Sequence, residues 1–340
     1  MKPIFIYPPT VDWDHLHQRP QQLLKALTRQ GCISVFCNTN IMGKRPAGIQ
    51  FIHENLIVAS NIDFYEVVRD MRSNYPGHPI IVYYSYPGQV HMIHQAGADL
   101  IIFDSLDEPV NEFAHWLPDY EYAVRSADLV IASAKSLQQR AQAYRSDEVV
   151  LVPNGCDYEH FAKAQNLSSP TFKTEGKQVV GFVGAVATWL DWELIRKIAE
   201  LPLVELVFIG PLYGLTSPPV QASNVKYIGH VPYEELPKHM AEFDVFIIPF
   251  LLNDMTKGVS PIKFWEYLAT GKPIVSTALP EVVNSAQATI IDHENYAYAV
   301  IHDSLDDRLR RIEYAKANSW DERAKRIVSQ LEGIIWRITS

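Results

Sequence analysis

A repeated alternation of short apolar runs with segments of helical spacing narrows the possible folds of this chain more than any single motif. Pro3–Tyr7 (PIFIY) is the first run, stopped by Pro8-Pro9, and a polar-aromatic loop, TVDWDHLHQRP, follows. Leu23, Leu24 and Leu27 then share one side of a helix that ends at Gly31, and Ile33–Cys37 is the next run. Strand, loop, helix, strand is the opening of a parallel α/β sheet. Further strands are predicted at Leu56–Ala59, Ile80–Tyr84, Leu100–Phe103, Leu129–Ser133 and Val149–Val152. The polar stretch Lys163–Lys177 has no periodicity. After it the rhythm restarts, with strands at Val179–Val183, Val204–Ile209, Val225–Ile228, Val245–Pro249, Ile274–Ser276 and Ala288–Ile291. The restart predicts an α/β protein of two doubly wound, Rossmann-like domains facing each other across a cleft, where ligands of such sheets sit. The expected boundaries are 1–165 for the first domain, 166–177 for a linker and 178–318 for the second. Residues 319–340 are read as a last helix packing back on the first domain. Ser319-Trp320-Asp321-Glu322 is a capping box, and Ala324, Ile327, Val328, Leu331, Ile335 and Ile338 follow helical spacing.

Length and charge exclude some classes of function. A chain of 340 residues suits two domains of middling size. Its net charge of −9 argues against nucleic acid as a partner, because backbone phosphates need a basic surface. No apolar run approaches the roughly 20 residues that span a bilayer, and MKPIFIYPP has too short an apolar core for a signal peptide. The three cysteines, Cys32, Cys37 and Cys156, lack CxxC spacing and read as reduced residues of a cytoplasmic protein. Arg323, Lys325, Arg326 and Arg337 on the last helix leave open a peripheral contact with anionic lipid at the inner face of a membrane. Asp321, Glu322 and Glu332 dilute that charge toward an ordinary solvated face.

The stretch NDMTKGVSPIKFWEYLATGKPIV, residues 253–275, holds a short helix marked at both ends. Ser260 is the expected N-cap, Pro261 suits the first helical position, and Gly271 suits the residue past the end. A cap at Ser260 leaves the amides of Ile262, Lys263 and Phe264 pointing out of the helix start, an arrangement that attracts phosphate. Lys263 adds a mobile positive charge there, and Glu266, three residues on, shares its face. Together they suit a phosphate joined to a sugar hydroxyl. The plainer alternative is a capped amphipathic helix with a surface ion pair.

Four other places could carry chemistry. Gly181-Phe182-Val183-Gly184-Ala185 follows a predicted strand, and a small residue at Gly184 lets backbone approach a phosphate closely. Tight strand-to-helix packing explains that turn equally well. Gly229 and His230 sit where a strand passes into a loop; they could pair with the edge of a nucleobase or form an ordinary turn. Asp104 and Asp107, in DSLDE after a strand, are the catalytic candidates, as general base, stabiliser of a cationic sugar or partner of substrate hydroxyls. Capping the helix near Pro109 is their alternative role. Trp13, His15 and Arg19 are the acceptor-side candidates, since an exposed tryptophan among hydrogen-bonding residues suits a sugar or lipid-linked ligand. Arg19 as a buried ion-pair partner is the competing reading. His15 and His17 diverge at i, i+2, so no metal site is expected there.

Taken together these stretches resemble the family-4 glycosyltransferases of the GT-B fold, in particular bacterial surface-polysaccharide members similar to teichuronic acid biosynthesis enzymes. The resemblance is carried by W…QRPQQL, FDSLDE, SADLVIASAKSLQQR, VLVPNGCD, VGFVGAVATWLDWELI, NVKYIGHVPYEELPKHMAEFDVFIIPF, SPIKFWEYLATGKPIVST and SWDERA, spread over nearly the whole chain. It implies a nucleotide-sugar donor, with a UDP-sugar favoured, on the C-terminal domain. It also implies a glycan or lipid-linked acceptor on the N-terminal domain and transfer with retention. Glu266 matches a glutamate that holds the donor ribose, and Lys263 a basic residue that meets the diphosphate. With Gly184, Gly229, His230, Ser260, Pro261 and Ile262 they make up the expected donor site, and no metal cofactor is expected. Many members have another glutamate eight residues before that one, on the donor sugar; here Gly258 stands there, with Asn253, Asp254 or Thr256 as candidate substitutes. The basic pair common after the GxxG turn is also missing, and Trp189, Asp191 and Trp192 occupy that region. A nucleotide-sugar epimerase of the same architecture and a non-catalytic nucleotide-sugar or glycan-binding protein stay open. A dinucleotide oxidoreductase is disfavoured, because neither half carries a full glycine-rich fingerprint.

Overall fold

The structure is a computed structural model that describes residues 2–15, 17–167, 171–302 and 307–339. It divides into two compact units, Met1–Asn154 with Trp320–Ser340, and Gly155–Ser319.

The first unit is built on eight strands: β1 (Ile4–Tyr7), β2 (Ile33–Asn38), β3 (Gly48–His53), β4 (Leu56–Ser60), β5 (Ile80–Tyr84), β6 (Leu100–Ser105), β7 (Leu129–Ala132) and β8 (Val150–Leu151). Their order is β3-β4-β2-β1-β5-β6-β7-β8, and only β3 runs antiparallel to its neighbour. Parallel strands are covered on both faces, which is why β1, β2, β4, β5 and β6 read as unbroken apolar runs. Ile4 and Ile6 point into one core layer with Phe64, Val67 and Val68. Phe5 and Tyr7 point into the other, with Leu23, Leu24 and Leu27 of the helix Arg19–Arg29. That second layer is closed by Trp320, Ala324, Ile327 and Leu331 of the last helix, Trp320–Thr339; the side chains of Ile335 and Ile338 lie outside the described residues. The edge strand β3 has no counterpart in the sequence reading. It is mostly exposed, so its composition carries no apolar run to mark it.

The second unit holds β9 (Gln178–Val183), β10 (Val186–Ala187), β11 (Val204–Ile209), β12 (Leu212–Tyr213), β13 (Val225–Gly229), β14 (Val245–Ile248), β15 (Ile274–Ser276) and β16 (Thr289–Ile290). Six form a parallel sheet, β13-β11-β9-β14-β15-β16, while β10 and β12 pair separately. In each sheet the order reverses at the first strand: between β1 and β5, and between β9 and β14. Loops leaving the carboxyl ends at such a reversal are where ligands of open α/β sheets bind.

The chain passes between units at Asn154–Gly155 and Ser319–Trp320, so neither 165 nor the polar stretch marks the boundary. Residues 155–177 belong to the second unit because they carry its anchors. Phe161, Ala164 and Phe172 are buried in its core. The Phe172 amide donates to Glu242 Oε2 at 2.7 Å, and Gln165 Nε2 to the Ala269 carbonyl at 2.7 Å. Three scattered apolar anchors have no period, which is why the stretch looks like a linker in sequence.

Among the described residues no helix is long and apolar enough to cross a membrane. On the last helix Arg323 is buried and donates to the Asn154 carbonyl at 3.2 Å, and Lys325 pairs with Glu322 at 2.5 Å. Two of the basic residues considered for lipid contact thus face protein groups.

Candidate functional site

In the second unit one tyrosine fixes the helix after β14. Tyr267 is fully buried and stacked on Phe246 at 4.2 Å between ring centres. Its hydroxyl donates to the Val183 carbonyl at 3.1 Å and accepts from the Val183 amide at 2.8 Å. The helix Ile262–Thr270 is thereby tied to the last residue of β9, next to Gly184. Its far end closes at Gly271, which has the expected left-handed φ of 73°. Its start differs from the sequence reading by one residue. Pro261 occupies the N-cap, with extended backbone and no capping side chain. Ser260 does not cap, because it is buried and its hydroxyl accepts from the Trp265 indole at 3.4 Å. The Phe264 amide turns back to the Pro261 carbonyl at 3.1 Å. That leaves the amides of Ile262 and Lys263 as the donors presented by this end.

Lys263 and Glu266 meet on that helix, with Nζ to Oε2 at 2.7 Å. Lys263 is part-exposed, whereas Glu266 is buried to 1%. Burial raises the pKa of the Glu266 carboxyl, and Lys263 opposes that rise. The second oxygen, Oε1, has no partner among the described residues. A buried carboxylate oxygen without a donor is costly, so this position suits an incoming hydroxyl. Beside it, β9 and β11 are followed directly by Gly184 and Gly210. A Cβ on Gly210 would lie 1.9 Å from the Gly184 carbonyl oxygen, so only glycine permits this backbone contact. At Gly184, with φ 154°, a Cβ would meet Phe182 at 3.0 Å and stand 3.8 Å from Lys263 Cγ. The Gly210 amide donates to the Gly229 carbonyl at 2.8 Å, extending the ledge to the edge strand β13, where His230 is exposed.

In the first unit the carboxyl ends of β5 and β6 hold a closed ionic network. Arg19 Nε donates to Asp104 Oδ2 at 2.6 Å and Nη2 to Oδ1 at 3.1 Å, while Nη1 reaches Asn154 Oδ1 at 3.1 Å. Tyr83 donates to Asp104 Oδ2 at 2.6 Å. Arg19 and Asp104 are both fully buried. Asp107 stands apart from this network. It is part-exposed and makes no side-chain hydrogen bond among the described residues. Burial of its carboxyl pushes the pKa up to about 7; Asp104 adds to the rise and Arg19 opposes it. Glu108, by contrast, is paired with Arg140 at 2.6 Å.

A protein-family model described as "Glycosyl transferases group 1" matches residues 177–304. This segment is a group 1 glycosyltransferase domain. The protein described as a teichuronic acid biosynthesis glycosyltransferase, TuaH, of Bacillus subtilis (strain 168) is 26% identical over 229 residues, or 60% of this chain. The match spans only 57% of that relative's length. Among solved structures, sucrose-phosphate synthase from Thermosynechococcus elongatus superposes with a TM-score of 0.76 at 15% identity, covering 99% of this chain and 100% of that one. Anabaena HepE in complex with UDP and glucose gives 0.69 at 14% identity, covering 98% and 100%. The fold is GT-B.

On the glycosyltransferase domain the structure brings Gly184, Pro261, Ile262, Lys263 and Glu266 together, with Ser260 packed behind them. Gly229 and His230 lie two strands away, at the end of β13. None of the three suggested substitutes for Gly258 turns inward freely. Asn253 and Thr256 cap each other in a capping box, and Thr256 also donates to the Leu251 carbonyl. Asp254 is exposed and paired with Lys257 at 3.2 Å. Outside this domain three expectations need correction. Asp104 is no free catalytic carboxylate, because Arg19 and Tyr83 occupy both its oxygens. Arg19 is accordingly a buried ion-pair partner and not an acceptor contact. Trp13 is buried to 4%, edge-on to Phe36 at 5.1 Å, because its indole finds an apolar layer to fill. His15 is exposed, away from that layer. Tyr267, Gly210, Tyr83 and Asn154 were missed. Only Gly210 left a signal, as the glycine directly after a six-residue strand.

Proposed function

We propose that this protein transfers a sugar from a nucleoside diphosphate, in the form of a UDP-sugar, to a glycan or lipid-linked acceptor in surface-polysaccharide synthesis, with retention at the anomeric carbon. The observation that carries the reading is the Lys263–Glu266 pair at an uncapped helix start, with Glu266 Oε1 lacking a donor. Glu266 accepts the ribose hydroxyls. Lys263 and the amides of Ile262 and Lys263 hold the diphosphate, and Gly184 lets it come close. HepE, which has the same fold, was solved with UDP and glucose, which favours uridine as the base. In the transfer the bond from C1 to the diphosphate oxygen breaks and its electron pair leaves with the diphosphate. The acceptor oxygen bonds to C1, and its proton passes to the Asp107 carboxylate. A lipid-linked acceptor would bring the protein to the inner face of the membrane, on the cytoplasmic side.

Calorimetry with UDP, GDP, ADP and dTDP tests the donor site. UDP is expected to bind most tightly, and Glu266→Ala to weaken it by roughly 1.5–3 kcal/mol, the range for a hydrogen bond to a charged group. Lys263→Ala should weaken UDP much more than uridine, because its partner is charge. Unchanged UDP affinity in Glu266→Ala would remove the ribose role. Conversion of the UDP-sugar without any acceptor would favour the epimerase reading.

The leaving diphosphate is met by Lys263 and helix amides, and no group of three or more His, Cys, Asp or Glu placed to hold a metal occurs among the described residues. Activity is therefore expected to survive EDTA. Full loss on chelation, restored by magnesium or manganese, would count against a metal-free donor site.

A further inference from the structure

The donor reading uses Lys263, Glu266 and the glycine ledge but leaves one helical turn, Tyr158–Phe161, without a role. Asp157 opens that turn. An aspartate in this position ordinarily caps the free amides of its own helix. This one makes no capping bond; its Oδ2 accepts instead from the Tyr233 hydroxyl, 76 positions away, at 3.1 Å. The neighbouring backbone is fixed, because the Cys156 amide donates to the Asn318 carbonyl at 3.1 Å. The same turn holds Tyr233 at two further points. His160 lies flat on its ring, 4.3 Å between centres and 8° from parallel, and donates from Nε2 to its carbonyl at 2.9 Å. Phe161 meets the ring edge-on at 5.5 Å and anchors the turn in the core.

Tyr233 ends the loop Gly229–Pro232, which follows β13. At the start of that loop Gly229 has a left-handed φ of 78°, and its carbonyl accepts from the Gly210 amide at 2.8 Å. The loop is thus fixed at both ends, with His230 exposed between them. The turn Tyr158–Phe161 also packs on the helix Ile262–Thr270. From its start the Asp157 charge acts on Glu266, adding to the rise of that carboxyl's pKa. One short turn therefore touches both the helix that carries Glu266 and the loop after β13. A nucleoside with its ribose on Glu266 has its base one glycosidic bond away. The diphosphate takes the helix start, so the base falls toward the loop that Asp157 ties to Glu266. A turn that only filled the core would keep its cap, since losing one costs stability. This turn gives up the cap for a remote tyrosine.

We propose that Asp157 and His160 are positioning residues for the donor nucleoside: they set the Gly229–Pro232 loop against Glu266, so that base and ribose are recognised as one unit. The proposal rests on the donor site described above. Its test measures UDP, GDP, uridine and inorganic pyrophosphate by calorimetry in wild type, Tyr233→Phe, Asp157→Ala and Asp157→Asn. Tyr233→Phe keeps a ring on His160 and loses the bond to Asp157. Its preference for UDP over GDP should fall about tenfold, with pyrophosphate bound as in wild type. Asp157→Ala should behave likewise. Asp157→Asn keeps an acceptor for the Tyr233 hydroxyl, so the preference should return. It also removes a charge, which a plain structural role would not register. Ionised Glu266 accepts the ribose hydroxyls, so uridine affinity should fall as pH drops through the Glu266 pKa; uridine has no phosphate to titrate there. Lys263 lowers that pKa and Asp157 raises it. Cys156 and Tyr267 also act beside it, but burial raises both of their pKa values and they stay neutral. In Asp157→Asn the fall should therefore move to lower pH. A variant that is merely misfolded loses pyrophosphate as well. Wild-type protein that binds no UDP overturns the donor site and this inference together. Tight UDP binding, with the wild-type preference kept in both Tyr233→Phe and Asp157→Ala, overturns only the positioning role.

Discussion

Asp107→Asn is expected to lower turnover roughly 10²-fold or more, with UDP affinity retained, as for loss of an acid–base group. The substitution keeps the shape of the side chain and removes its capacity to take a proton. Asp107 is suited to that task because burial pushes its carboxyl up to about 7, where a base is both available and strong enough. Wild-type kcat/KM should therefore climb as pH rises through about 7 and level off above it; the variant should lack that limb. Stability gives an independent reading. The folded-state pKa lies above the unfolded value, so the stability associated with the proton is fully present below the unfolded pKa. It is lost as pH rises through about 7. Asp107→Asn should thus melt higher than wild type at pH 8, with the gain shrinking as pH falls toward about 4. Near-normal turnover with the true acceptor would reduce Asp107 to a residue that shapes its loop.

Arg19→Met should destabilise the first unit by about 3–5 kcal/mol, because among the described residues it leaves the buried Asp104 charge with Tyr83 alone as side-chain donor. Asp104→Leu alone strands the Arg19 guanidinium in the same way. The double variant Arg19→Met/Asp104→Leu should recover much of the loss, since no uncompensated charge then stays buried. Denaturant melts of the four proteins measure this coupling. A single-variant loss below about 1 kcal/mol, the level of an exposed pair, would show that the network is not an anchor. Residual activity per folded molecule in Asp104→Asn separates the two aspartates. It should persist there and collapse in Asp107→Asn.

The sequence by itself determined the buried central strands, the two-unit architecture and the place of the helix Ile262–Thr270. Burial on both faces makes each central strand an unbroken apolar run, and the Gly271 stop and Lys263–Glu266 spacing are local properties of nine helical residues. Local spacing could not say which charges are free. Asp104 and Asp107 look alike three residues apart, yet one meets Arg19 from 85 positions away and the other makes no side-chain hydrogen bond among the described residues. The same blindness put Trp13 on the surface and a linker at 166–177, since the Phe36 layer and the Glu242 carboxylate that hold them are remote in sequence. Ser260 lost its capping role to an indole five residues on. Hydrophobic periodicity is written residue by residue, so it survives reading a single chain; pairing between distant polar groups exists only after the sheet has been assembled.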